Sequence, residues 1–502
     1  MASAGSSWDA EYDVIVAGYG YSGAMAAIAA ADAGSTVGLF EKMRWPGGNS
    51  VLSGGSCVFA LDAGDALAYL RATCDGTTDD EVLKAFAIGL VELPELLTTM
   101  AADVGMATTQ ESRASVVYPF PGADTLHSLK VTRDDRHPPL DWVSGSRAGA
   151  TLFRVVMEHV EQRRDAIVVH HDSPVRRLVV EDGEIAGCEI EIEGRTQSVR
   201  ARQGVVLCTG GFEHDPRMIS HFIGSAPITS IGPLGSTGDG IRMGQQVGGA
   251  LWHMWHVHGS YGFRIPATPV AIRNSAAGPR RPEQAMPWIV VNRTGRRFMN
   301  EYPPAPQDTA IRDMLRFDAD LQDYPNIPAW LIFDESGRKT RPLGRPAMTD
   351  PAIAYEWSED NLAEIEKGWV LRSDTVGGLG KLIGADPAGL EETASSWNVM
   401  CETGGDPHLR PQSTMMPIAH PPFYAIEAHP VITNTQGGLV HDARQRVLDS
   451  FGEPIPRLYK AGENGSLFGH LYLLGGNNSE CFIGGRTAGR AVASQTRRDV
   501  SG

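Results

Sequence analysis

Of the 502 residues, the run Tyr12-Asp-Val-Ile-Val-Ala17, continuing directly into Gly18-Tyr-Gly-Tyr-Ser-Gly23, most constrains the fold. The apolar, β-branched run predicts a buried strand of a parallel sheet. The alanine-rich stretch from Ala24 to Ala33 predicts a helix stopped by Gly34, and Thr36 to Phe40 predicts a second strand ending at Glu41. Each glycine of the motif has a physical task. Gly18 permits the tight turn, Gly20 lets the backbone approach a pyrophosphate, and Gly23 lets helix and strand pack closely. The helix N-terminus presents unpaired N–H groups and a partial positive charge to phosphates. Glu41, about 20 residues beyond the motif, is placed to accept hydrogen bonds from ribose hydroxyls. Together these features predict a dinucleotide site.

The rest of the chain bounds what surrounds that site. Its length predicts two or three domains. A hydrophobic fraction of 42% and a charged fraction of 21% are those of a globular protein. With 44 Lys and Arg against 60 Asp and Glu, the net charge of −16 excludes a nucleic-acid or anionic-membrane partner. No apolar run approaches the roughly 20 residues of a membrane span, and Met1 to Glu11 lacks the features of a signal peptide. The six cysteines form no C-x-x-C pair and read as reduced, buried thiols. A cytoplasmic location is expected.

Further strands are predicted at Ala166 to His170, Val175 to Val180, Ile185 to Ile192 and Gly204 to Cys208. From about Leu251 to Arg410 the character changes: seven of the ten tryptophans lie there, prolines are frequent, and the βαβ rhythm is lost. Strands return at Phe423 to Ala428 and Leu458 to Ala461, and a last helix is predicted from about Ile483 to Thr496. The expected architecture is α/β. A Rossmann-like domain of glutathione-reductase type (residues 1–250 and 412–502) would carry an inserted α+β substrate-capping domain (251–411).

A second run of glycines and small polar residues, Gly47-Gly-Asn-Ser50 to Ser53-Gly-Gly55, favours FAD over NAD, because it suits a long dinucleotide lying across the sheet. Here the chain resembles the fumarate reductase/succinate dehydrogenase flavoprotein superfamily, which includes the 3-ketosteroid dehydrogenases. Matching blocks follow in order: Gly204-Val-Val-Leu-Cys-Thr-Gly-Gly-Phe212 with Thr237-Gly-Asp-Gly240, then Thr435-Gln-Gly-Gly-Leu439, Ile455-Pro-Arg-Leu-Tyr-Lys-Ala-Gly-Glu463 and Gly485-Arg-Thr-Ala-Gly489. The resemblance implies FAD contacts from Gly18, Gly20, Ser22, Gly23, Glu41, Lys42, Gly48, Asn49, Ser50, Ser53, Gly54, Gly55, Thr209, Gly210 and Asp239. Val175 would meet the adenine through its backbone, Glu463 the ribityl chain, and Ser479 the isoalloxazine. Covalent members use a His after the ribose acid, and none stands near Asn49-Ser50, so the FAD is expected to be non-covalent.

The resemblance also implies hydride exchange between flavin N5 and a carbon β to an activating carbonyl, with proton exchange at the α-carbon. Fumarate reductases place an Arg after Arg297-Phe-Met-Asn-Glu301, a His before the T-x-G-G motif and an Arg before L-G-G-N. Here those positions hold Ala305, Asn434 and Leu473. Leu471-Tyr-Leu-Leu-Gly-Gly476 is closer to the ketosteroid enzymes, in which Tyr472 and the Gly476 amide would hold the ketone and stabilise its enolate. The base would be a tyrosine: Tyr302, Tyr261 or Tyr118. His258 matches a substrate-clamping His. His253, His256 and His258 lack the partners of a metal set, so no metal is expected.

The expected function is therefore α,β-dehydrogenation, or the reverse ene reduction, of a hydrophobic cyclic ketone. The partners are that ketone or enone and an unspecified electron acceptor or donor. The rivals are reduction of a small unsaturated acid, as by fumarate or urocanate reductases, and a flavin-binding module without turnover.

Overall fold

The computed structural model describes residues 8–112, 118–132, 136–145, 148–276, 285–302, 311–473 and 475–498. The first strand runs Ala10–Ala17 and is buried from Asp13 onward. Parallel pairing joins it to Val37–Phe40 on one side and to Arg195–Leu207 on the other. The sheet continues to Ile167–His170 at one edge, and to Pro454–Lys460 and Arg446–Leu448 at the other. Strands enclosed on both faces need apolar residues at every position, as Val14, Ile15 and Val16 illustrate. The hairpin Val175–Glu181/Glu184–Ile192 joins this sheet through Arg195–Leu207.

Two helices close one face. Tyr21–Asp32 leaves the glycine turn, and Gly476–Ala493 packs along it. Their contact is backbone-close. A Cβ on Gly485 would lie 2.5 Å from the Ser22 carbonyl oxygen, and one on Gly489 would lie 2.3 Å from that of Ala26. The glycines of Gly485-x-x-x-Gly489 thus hold the last helix against the first.

A second sheet of eight strands lies in the inserted part. Its order is Ile289–Val291, Ala329–Asp334, Phe423–Thr435, Val257–Phe263, Ile272–Asn274 and Gly344–Arg345, with Thr229–Ser230 and Val370–Ser373 also pairing Phe423–Thr435. This corrects the expected boundaries at 250 and 411. Phe423–Thr435 is the central strand of the second sheet, not a return to the first, and Thr229–Ser230 already belongs to it. A fully buried apolar strand looks the same in either sheet, and only its pairing tells them apart. The sheet is secured by a buried ion network. Arg297 bonds Glu301 at 2.7 Å and Asp406 at 2.8 Å, Arg410 reaches Glu301 at 3.4 Å, and both guanidinium groups lie over the Trp397 ring. The motif Arg297-x-x-x-Glu301 therefore holds the inserted body together.

The helix Asp80–Asp103 revises the expectation that no segment is long and apolar enough to cross a membrane. Its length and composition qualify, but its apolar face packs in the core through Leu83, Phe86, Leu90, Leu93 and Leu97. All six cysteines are free of disulfides.

The Gly489→Ala variant should lose about 1–3 kcal/mol of stability, because its methyl group meets a backbone oxygen that cannot move aside. Urea unfolding followed by far-UV circular dichroism measures this; an unchanged midpoint would show that the two helices can separate without cost.

Candidate active site

Between the two sheets lies a cavity of about 910 Å³. One end is built by the glycine turn. Gly18 has φ +101°, and a Cβ there would sit 2.3 Å from the Cys208 carbonyl oxygen. Gly23 does not line the cavity, since a Cβ on it would meet the Gly18 carbonyl oxygen at 1.8 Å; it is the packing glycine of the turn. Gly20 and Ser22 face the cavity, as do Gly48, Asn49, Ser50, Ser53 and Gly54. A Cβ on Gly48 or Gly54 would meet nothing within 4 Å. Gly55, with φ +62°, instead packs on the Ala148 backbone. The Ser50 hydroxyl accepts from the Tyr21 amide at 3.0 Å, tying the second glycine segment to the first helix.

Glu41 lies 8% exposed at the cavity wall. Its carboxylate accepts from the amides of Tyr19 at 2.9 Å and Met43 at 2.8 Å. Burial pushes its pKa up, and the two N–H donors oppose that rise. Lys42 bridges the domain by its 2.6 Å ion pair with Asp239, and Thr209, Gly210 and Val175 line the same region. Glu463 reaches the cavity beside Asn49, whose Nδ2 lies 3.4 Å away. Burial, and then the charge of Glu213, raise its pKa well above the carboxylate range. A carboxyl at this place can accept hydrogen bonds from the hydroxyls of a ribityl chain. A glycine-lined cradle, a ribose acid and a carboxyl for the ribityl chain fit FAD. Ser479 departs from expectation: its hydroxyl donates to the Val58 carbonyl at 2.6 Å, and it does not line the cavity, whereas Asn477, Asn478 and Cys481 do. Helical rotation turns position 479 away from its neighbours.

Of the six expected catalytic residues, Tyr472 and His258 meet at the cavity wall, their ring centroids 4.2 Å apart. Tyr472 Oη accepts from the amides of Gly475 at 3.1 Å and Asn477 at 3.4 Å. The expected amide of Gly476 is spent on the Leu473 carbonyl at 2.6 Å, and Gly475 lines the cavity in its place. His258 Nδ1 lies 2.9 Å from Asn434 Oδ1.

The three tyrosines named as bases do not line the cavity. Tyr261 is enclosed in the core of the inserted body; its hydroxyl accepts from Trp288 Nε1 at 2.9 Å, and burial raises its pKa. Tyr302 is packed in the same core, and its amide donates to Asn300. Tyr118 packs against the cluster that contains Tyr472, with its amide donating to the Tyr69 hydroxyl at 3.1 Å. Ala305 and Leu474 lie outside the described residues. Two cations on the cavity wall, Arg273 and Arg345, carry no local sequence signal; antiparallel pairing sets them side by side.

A family model described as a FAD binding domain matches residues 13–479. The chain is 26% identical over 561 residues to a 3-oxosteroid 1-dehydrogenase of Mycolicibacterium smegmatis, covering 92% of this chain and 93% of that relative. It is 26% identical over 500 residues to a fumarate reductase (cytochrome) of Shewanella frigidimarina, covering 97% of this chain and 74% of that relative. A crystal structure of a 3-ketosteroid delta1-dehydrogenase from Sterolibacterium denitrificans, in complex with 1,4-androstadiene-3,17-dione, shares the fold. The TM-score is 0.81 at 24% identity, covering 96% of this chain and 99% of that one.

Replacing Glu41 by Ala should weaken FAD binding by about 1.5–3 kcal/mol, because the ribose loses a charged acceptor. Fluorescence titration of the deflavinated protein with FAD reads the change, and an unaltered dissociation constant would remove Glu41 from the site. Acid precipitation should leave the FAD in the supernatant; yellow pellets would show a covalent bond.

Proposed function

The chain belongs to the FAD binding domain family, and on that footing we propose that this FAD-dependent oxidoreductase exchanges hydrogen across the α,β-bond of a cyclic ketone. In this reading the first sheet is a Rossmann-like FAD domain of glutathione-reductase type, and the second sheet body caps the substrate. The single observation that carries the reading is the pairing of Tyr472 with His258 at the cavity wall, where a ketone needs one hydrogen-bond donor and one base. The 3-oxosteroid dehydrogenase relative acts, by its name, on a ketone of this class.

FAD supplies the acceptor of the β-hydride in the oxidative direction and its donor in the reverse. The protein supplies the rest. Two amides donate to Tyr472 Oη, which polarises the O–H and makes it a stronger donor to a ketone oxygen. As the α-proton leaves, negative charge gathers on that oxygen, and a fixed donor there lowers the barrier by about 3–4 kcal/mol. Asn434 Oδ1 can only accept, so the proton of His258 is placed on Nδ1 and Nε2 becomes the proton-accepting nitrogen. The Asn434 amide is held in that sense by its Nδ2, which donates to Asn477 Oδ1 at 3.4 Å. His258 thus takes the α-proton in the oxidative direction, in place of a tyrosine.

Asn434 and the buried Leu473, where a dicarboxylate clamp would need cations, argue against a fumarate-type substrate.

The Tyr472→Phe variant should lose turnover by about a hundredfold or more while keeping its FAD, since only the carbonyl-directed donor is removed. His258→Gln should abolish exchange of the ketone's α-proton with deuterium. Exchange that survives in His258→Gln and vanishes in Tyr118→Phe would move the base to Tyr118. Chemically reduced protein should be reoxidised anaerobically by 2-cyclohexenone or a 4-en-3-one steroid; rapid reoxidation by fumarate or urocanate, with both enones inert, would overturn the ketone reading.

A further inference from the structure

The strand Ile272–Asn274 lies between Val257–Phe263 and Gly344–Arg345. Its register sets Arg273 opposite Gly262 on one side and directly opposite Arg345 on the other. Like charges facing each other across a strand pair are destabilising, and their Cβ atoms stand only about 4.5–5.5 Å apart. Here both side chains also belong to the cavity wall, Arg273 half-buried and Arg345 exposed at its rim. Burial, and then the neighbouring Arg345, hold the Arg273 pKa down to about 10, so it is still charged at neutral pH. Among the described residues neither guanidinium has a carboxylate partner. Of the other cations of the wall, Lys42 is paired with Asp239, Lys130 with Glu111, and Arg44 lies over the Trp45 ring. Asp350 shares the wall with the arginines, but its carboxylate caps the turn at Ala352.

The position of the pair relative to the reacting end follows from strand geometry. His258 and Gly262 lie four residues apart on one strand, a span of up to about 14 Å at 3.4 Å per residue. Arg273, opposite Gly262, is therefore displaced along the inserted sheet from His258, toward where the far end of a ring-sized or larger substrate would lie. The glycine turn, where the pyrophosphate of FAD would lie, follows a strand of the first sheet, whereas the arginines stand on the second.

We propose that Arg273 and Arg345 form a carboxylate subsite, so that the substrate is a cyclic ketone bearing a carboxylate on the side away from its carbonyl. This rests on the ketone reading above and narrows it. The two planar guanidinium groups would accept one carboxylate between them through charge-assisted hydrogen bonds and relieve their mutual repulsion. The arginines fix which end of the ketone faces Tyr472. They are binding groups and take no part in proton transfer.

The test compares 4-oxocyclohexanecarboxylate with its methyl ester in the wild-type holoenzyme and in Arg273→Gln, Arg273→Lys and Arg345→Gln. The readouts are flavin reduction, equilibrium binding of the acid by perturbation of the flavin spectrum, and FAD content. In the wild type the acid should exceed the ester in kcat/KM by about tenfold or more, and added salt should narrow the gap. Each Gln variant should reduce that ratio and weaken binding of the acid, with Arg273→Lys intermediate. An acid-to-ester ratio near one in the wild type would overturn the subsite. So would a ratio unchanged by both Gln variants, or variants that lose FAD in place of acid selectivity. If both ketones react with no acid preference, the ketone reading stands and the subsite falls. If neither ketone reacts and fumarate reoxidises the reduced protein, the ketone reading falls and takes the subsite with it.

Discussion

The close approach of the first helix to the strand it leaves governs the rest of the molecule. With 1.8 Å between a hypothetical Cβ on Gly23 and the Gly18 carbonyl oxygen, only hydrogen fits there. That contact sets the helix axis, and the axis aims the helix N-terminus into the cavity. The same economy recurs on the opposite face of the helix, where Gly485 and Gly489 admit the last helix to backbone distance. A chain of glycine contacts thus runs from the dinucleotide turn to the helix that carries Asn477, Asn478 and Cys481 to the cavity wall. Cofactor binding and core packing are two results of one constraint.

The polar groups of the cavity fall into two kinds. Glu41, Lys42 and Asp239 are tied down by amides or by each other, so their charges are fixed before any ligand arrives. Glu463, the Tyr472–His258 pair and the two arginines stand together on the cavity wall, and among the described residues neither Glu463 nor the arginines have a counter-charge paired to them there. The first kind shapes the end that would hold the adenosine and pyrophosphate of the cofactor, the parts of it that take no part in hydride transfer. The second kind lies where hydroxyls, a ketone and an anion would be met, and where charge is redistributed during reaction.

What was legible in the sequence is what depends on short spacing. The glycine motif, its flanking strands and Glu41 are separated by few residues, so the local pattern determines their arrangement. Tyr472 and His258 were found by resemblance, and the structure brings them together at the wall. What could not be read depends on pairing between distant segments. Arg273 and Arg345 are adjacent only because two strands 70 positions apart share a register. Phe423–Thr435 is apolar enough for either sheet, and its neighbours alone assign it. Tyr261 failed as a base because a buried indole occupies its hydroxyl, which no local pattern reveals. The amide expected from Gly476 moved to Gly475 because the start of a helix spends its N–H groups according to the preceding turn.

The cradle for FAD is assembled from the two extremes of the described chain. Asn49 and Glu463, 414 residues apart, meet at the cavity wall. During synthesis the glycine turn emerges early, yet Glu463, Tyr472 and the helix Gly476–Ala493 follow only after the whole inserted body has been made. A nascent chain therefore exposes the apolar face of its first helix, including Met25 and Ala29, until that last helix arrives. The cofactor cradle is therefore complete only once the last helix has docked on the first.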